Sequence, residues 1–146
     1  LARLGKSGEA LQTVDIGALI ESVAGEFEPV EFEMPDTRVI ASIRPVLLRR
    51  ALRNLIGNAI LYGRVAAIQI DSRSNLVTIN IDDQGPGIDP TLRDHVFEPF
   101  VSSKPSGQGL GLSLVRKLVR DMNGNVSHDR DPRAGLTHFR LHLPQA

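Results

Sequence analysis

The chain has 146 residues, and its 17 Lys plus Arg balance 17 Asp plus Glu, so the net charge is zero. That balance argues against a dedicated nucleic-acid binder, whose affinity comes from neutralising phosphates. The absence of cysteine removes disulfides, thiol nucleophiles and cysteine metal sites, and it suits a reducing, cytoplasmic setting. The length fits one domain with a proper core, and no apolar run approaches the ~20 residues of a membrane span.

The opening residues, Leu1 to Thr13, are small and charged with little periodicity. They read as the end of a preceding helix and a linker, with the domain running from 14 to 146. The chain begins at Leu1 without a methionine and reads as a fragment of something longer. A helix follows from Asp15, which is placed to cap it, with Ile16, Leu19, Ile20, Val23 and Phe27 on one stripe. Pro29 to Met34 alternates apolar and acidic residues as a half-buried strand, and Val39 to Ile43 reads as a second short strand. Pro45 suits the first position of the next helix. Arg44 is a poor cap there, which leaves Ser42 as the candidate.

The helix from Pro45 to about Tyr62 buries Leu48, Leu52, Leu55, Ile56 and Ala59 and turns Arg49, Arg50 and Arg53 away. Asn54 and Asn58 are four apart, hence one above the other at the rim of the apolar face. Amides there either reach a ligand lying on the helix or bond only water and a neighbouring loop. Val65 to Asp71 and Leu76 to Asp82 alternate around Ser72 to Asn75, a hairpin pattern. The second of these strands runs into Asp82-Asp83-Gln84-Gly85-Pro86-Gly87-Ile88, with carboxylates at a strand end and glycines where a ligand can approach the backbone. A short helix is expected around Leu92 to Phe97.

Ser102-Ser103-Lys104-Pro105-Ser106-Gly107-Gln108-Gly109-Leu110-Gly111-Leu112 then leads into a helix ending near Met122. Its glycines stand where a helix begins, and unpaired N–H groups with the positive end of the dipole suit a phosphate. By itself such a stretch is more often only a turn. An Asn123-Gly124 turn, a strand near Asn125 to His128 and a strand over Leu136 to Leu143 complete the chain. Interleaved helices and hairpins predict an α+β, two-layer α/β sandwich, one mixed sheet covered on one face by about three helices.

In this order the motifs resemble the catalytic and ATP-binding domain of bacterial two-component sensor histidine kinases. That family belongs with gyrase, the large heat-shock chaperones and mismatch-repair ATPases, and has the Bergerat-type ATP-binding fold. Asn54-Leu55-Ile56-Gly57-Asn58-Ala59 is similar to its asparagine box, and Asp83-Gln84-Gly85-Pro86-Gly87-Ile88 to its first glycine box. Val96-Phe97-Glu98-Pro99-Phe100 is similar to its phenylalanine box, Gly107-Gln108-Gly109-Leu110-Gly111-Leu112 to its second glycine box, and Gly135 through Pro144 to its closing strand. The resemblance covers nearly the whole chain.

The resemblance implies ATP and Mg2+ as cofactors. Asp83 would receive the exocyclic amine of adenine, with Gly85, Gly87 and Ile88 close to the ring. Asn58, and less directly Asn54, would ligate Mg2+ through amide oxygens. Tyr62 would pack near the ribose or phosphates, or sit as a core rim residue. Ser102, Ser103 and Lys104 belong to an ATP lid, with Lys104 near the terminal phosphate as the group that neutralises charge during transfer. Gly107, Gly109, Leu110, Gly111 and Leu112 would cradle the phosphates. Thr137 would support Asp83, or serve only in packing.

Asn54 stands where the family's hydrolases and serine-directed kinases usually carry a glutamate. An amide cannot act as general base, and a neutral imidazole needs none, which favours transfer to histidine. The implied partners are a histidine-bearing dimerisation domain and a response regulator, without nucleic acid or direct membrane contact. The domain is expected to be cytoplasmic, whether or not its parent chain is anchored in a membrane. Two features depart from the family. Leu61 replaces a frequent lysine or arginine, which raises the alternative of a catalytically impaired regulatory module, and Gly57 costs a helix interior ~1 kcal/mol. A serine-directed anti-sigma kinase is disfavoured by Asn54. His95, His128, His138 and His142 read as loop or strand residues, none of them in a phosphoacceptor helix.

Overall fold

The computed structural model describes residues 9–83, 109–131 and 133–145. In chain order these form β1 (Gln12–Asp15), α1 (Ile16–Ala24), β2 (Val30–Phe32), β3 (Ile40–Ile43), α2 (Pro45–Gly63), β4 (Ala66–Arg73), β5 (Leu76–Asp83), α3 (Gly109–Arg120), β6 (Asn125–Asp131) and β7 (Leu136–Pro144). Five strands make one sheet in the order β2-β4-β5-β7-β6. Among the described strands only β2 runs parallel to its neighbour, β4, and this makes the sheet mixed. The hairpin between β4 and β5 turns through Ser74 and Asn75, both at positive φ (52° and 64°), as a two-residue hairpin loop requires.

The sequence pattern explains the layers. Val77, Ile79 and Ile81 of β5 and Leu141 and Leu143 of β7 alternate onto one face and are fully buried there. They form one core with Ile20 of α1, Leu52, Leu55 and Ile56 of α2, Val119 of α3 and Met122 of the turn that follows α3. Each such side chain contributes about 1.5–3 kcal/mol by leaving water. The other face carries Thr78, Asp82, Ser127, His138 and His142. There the Nδ1 of His138 lies 2.5 Å from Asp82 Oδ1, and the His142 ring sits between the hydroxyls of Thr78 (3.2 Å) and Ser127 (3.4 Å).

Asp15 caps α1, its Oδ1 accepting from the Ala18 N–H at 3.1 Å. The helix stops at Ala24 instead of reaching Phe27, which still packs against the core from the following turn. Gln12 and Thr13, read as linker, belong to a strand. β1 pairs antiparallel with β3 from Gln12↔Ile43 to Asp15↔Ile40 as a separate two-stranded sheet. The cap of α2 also differs from the expectation at Ser42, which lies within β3. The Val46 N–H donates to both carboxylate oxygens of Glu9 (3.1 and 3.0 Å). Arg44, at the N-cap position, donates instead to the carbonyls of Glu9 (2.7 Å from Nε) and of Asp121 (from Nη1). One guanidinium thus joins the residues before β1, the start of α2 and the end of α3.

Two arginines on the outward side of α2 hold α1. Arg53 makes a two-pronged pair with Glu26, 2.9 and 3.0 Å, and Arg49 donates to Ser22 Oγ at 3.1 Å. The hydrogen bond from Arg53 holds the Glu26 carboxyl below its ordinary pKa.

Candidate functional site

The inward alternation of β5 places Asp83, after Val77, Ile79 and Ile81, on the helix-covered face at the strand's end, where it is 6% exposed. A carboxylate in such a place requires polar partners or a ligand. Its cross-strand partner on β7 is Thr137, itself 3% exposed, and Thr137 is paired in turn with Arg130 on β6. Asp83, Thr137 and Arg130 therefore form one rung on one face of three adjacent strands. Within it, Arg130 Nη1 donates to Thr137 Oγ1 at 2.8 Å.

The last residue of α2, Gly63, closes the site from the helix layer. A Cβ on Gly63 would lie 2.4 Å from Asp83 Cβ, 2.6 Å from Oδ1 and 2.8 Å from Cγ. No side chain fits there, so the helix backbone comes up directly against the carboxylate. The chain then reverses through Arg64 at φ 71° and ψ −39°, with the Val65 N–H bonded to the Gly63 carbonyl at 2.8 Å. This is a three-residue turn of the strained, positive-φ kind.

Asn58 and Asn54 lie about 7.5 and 13.5 Å before Gly63 along α2, given a rise of ~1.5 Å per residue. Both are half-buried, at the rim of the apolar face as the spacing requires. Asn54 Nδ2 donates to the Arg50 carbonyl at 3.1 Å, so the group it can offer a cation is its Oδ1. Leu61, on the same side of the helix, is 65% exposed. Tyr62 lies in the last turn of α2, and Gly109, Leu110, Gly111 and Leu112 form the first turn of α3. Leu112 packs against the core, which fixes the start of α3 relative to α2. Gly85, Gly87, Ile88, Ser102, Ser103, Lys104 and Gly107, together with the helix expected at Leu92 to Phe97, lie outside the described residues.

The structure thus brings together Asp83 and Thr137, and it places Asn54, Asn58 and Tyr62 on the helix whose end abuts them. Sequence reading missed Gly63 and Arg130. Gly63 carries the signal of a helix stop, although its contact with Asp83 is tertiary. Arg130 lies beyond the strand expected near Asn125 to His128, which in the structure runs to Asp131. Continued to Asp131, the alternation of Val126 and His128 carries Arg130 onto the inner face.

A family model described as "Histidine kinase-, DNA gyrase B-, and HSP90-like ATPase" matches residues 43–146. Among curated proteins, the chain is 35% identical over 150 residues to the sensor protein IrlS of Burkholderia pseudomallei, covering 92% of this chain and 32% of that one. It is 31% identical over 147 residues to the sensor histidine kinase GtrS of Pseudomonas aeruginosa, covering 94% and 30%. The chain therefore spans about a third of the length of these relatives. Among solved structures, the ATP binding domain of PrrB from Mycobacterium tuberculosis superposes with a TM-score of 0.75 at 29% identity, covering 94% of this chain and 99% of that one. Full-length ShkA in complex with AMPPNP gives 0.76 at 26% identity, covering 96% and 32%. The chain belongs to the histidine kinase-, DNA gyrase B- and HSP90-like ATPase family, with the fold that its alternating strands and amphipathic helices predict.

Proposed function

We propose that this domain binds Mg-ATP and donates the γ-phosphoryl group to a histidine on a separate dimerisation domain, acting as the protein histidine kinase of a two-component system. The observation that carries the reading is the buried Asp83 carboxylate at the end of β5, in register with Thr137 and held against the backbone of Gly63. It is an acceptor with an apolar floor, the chemistry that an adenine amine requires. Gly85, Gly87 and Ile88 are assigned to the same base, and Tyr62 to the ribose and phosphates. The first turn of α3, Gly109 to Leu112, offers N–H groups and a positive dipole end to phosphate. Gly107, Ser102, Ser103 and Lys104 are assigned to the covering lid.

Asn58 and Asn54 suit Mg2+. Each has a hard amide oxygen, and the amide nitrogen of Asn54 is turned onto the helix backbone. The ion, when bound, offsets charge on the phosphates. The incoming imidazole nitrogen forms its bond to the γ-phosphorus as the bond from phosphorus to the β–γ bridging oxygen breaks, and ADP leaves with that electron pair. Lys104 is assigned to charge stabilisation in this step, and Asn54 to positioning without taking a proton. A response regulator receives the phosphoryl group next, in the cytoplasm. No helix among the described residues is long and apolar enough to cross a membrane.

Exposed Leu61, beside the asparagine line, favours a second reading, a nucleotide-binding regulatory module without transfer. Calorimetry of Mg-ATP with Asp83→Asn tests the first step, and unchanged affinity in a folded variant removes the base assignment. Transfer to a supplied histidine-bearing domain then separates kinase from module. Lys104→Ala is expected to impair that transfer more than it impairs ADP binding.

A further inference from the structure

We infer that Arg130 sets the base specificity of this site by fixing the direction of the Thr137 hydroxyl. The inference rests on the assignment of adenine to Asp83. Arg130 Nη1 donates to Thr137 Oγ1 at 2.8 Å, and a guanidinium has no acceptor to offer in return. Thr137 can therefore never donate to Arg130, and its own proton must point elsewhere. The side chain is almost fully buried, with Asp83 its in-register neighbour on the far side from Arg130. Same-face partners on adjacent strands hold their Cβ atoms about 4.5–5.5 Å apart. The proton is thereby left to the Asp83 side of the rung, where we place it as a donor standing beside the Asp83 acceptor at the edge of the base.

That pair reads one purine edge. Adenine presents an amine donor at N6 beside an acceptor at N1, which complements Asp83 as acceptor and Thr137 as donor, directly or through one water. Hypoxanthine and guanine present the reverse, a carbonyl at C6 and an N–H at N1. Without Arg130 the hydroxyl can rotate to accept from that N–H, so the second half of the code is lost while Asp83 keeps the first. Arg130 is thus a positioning residue for specificity, one that does not itself touch the nucleotide.

The test compares calorimetric affinities of the 146-residue chain for Mg-ATP and Mg-ITP in wild type, Arg130→Met, Arg130→Lys, Thr137→Val and the double variant Arg130→Met/Thr137→Val. Expected is an ATP preference in wild type that narrows about tenfold in Arg130→Met, the order of one charge-assisted hydrogen bond. ATP should weaken and ITP stay within about twofold. The lysine variant should retain most of the preference, and the double variant should lose no more than Thr137→Val alone. Arg130→Gln replaces the methionine variant should that one fail to fold. An unchanged ATP/ITP ratio, or equal loss for both nucleotides, overturns the inference and leaves Arg130 a structural residue. If instead Asp83→Asn binds ATP as wild type does, the base assignment itself falls, and the inference with it.

Discussion

Adding one methyl group at Gly63 tests whether the end of α2 really sits on the Asp83 carboxylate. Gly63 is a helical residue, so alanine is intrinsically better there by up to ~1 kcal/mol. Contact alone would reverse that sign. The new carbon would lie 2.4 Å from Asp83 Cβ, more than an ångström inside normal carbon contact. Neither side yields easily, since Asp83 is held in the β5–β7 ladder and α2 is locked into the core by Leu52, Leu55 and Ile56. Overpacking of this kind costs about 1–3 kcal/mol. Net of the helix gain, Gly63→Ala should destabilise by up to about 2 kcal/mol, lowering Tm by up to about 8 °C for a domain of this size. Thermal melting by circular dichroism measures this directly. Because relief requires Asp83 to move, Mg-ATP affinity should fall as well. A variant that melts at or above the wild-type temperature and binds ATP equally well would refute the close approach.

The neighbouring turn gives the opposite expectation. Arg64 holds φ 71° and ψ −39°, a conformation disfavoured for a residue with a Cβ, so Arg64→Gly should stabilise by about 1 kcal/mol in denaturant titration, and a loss of stability would count against a strained turn. Glu9→Ala removes the distal cap of α2 and should cost about 1 kcal/mol in the same assay, while a neutral result would mean that the contact with Val46 contributes nothing. The third case concerns pH. Because Arg53 lowers the Glu26 pKa, the pair stabilises the fold above the ordinary carboxylate range and ceases to do so as pH falls through the lowered value. Both groups are exposed and screened, so the effect is small. The stability gap between wild type and Glu26→Gln should shrink in acid and stay flat near neutrality, and a gap that widens in acid contradicts the sign.

The sequence by itself determined the helices, the long strands and their faces. Alternation in Leu76 to Asp82 and Leu136 to Leu143, and the stripe from Leu48 to Ala59, each state which side is buried, because strand and helix periodicities are local properties of the backbone. The positions of Asn54, Asn58 and Asp83 on those elements followed at once, and their order along the chain indicated the family. Pairings between distant segments were not legible. Nothing in Gln12 to Asp15 shows that it is a strand until β3 supplies its ladder, and nothing in Ser42 shows that Glu9 caps the helix instead. The bareness of Gly63 and the inward turn of Arg130 belong to the same class. Each has meaning only when α2 meets the end of β5 and β6 is laid beside β7. Periodicity is written in neighbouring residues, whereas steric exclusion and cross-strand hydrogen bonds depend on what the fold brings within a few ångströms. Only the tertiary structure could therefore show what holds Asp83 in place.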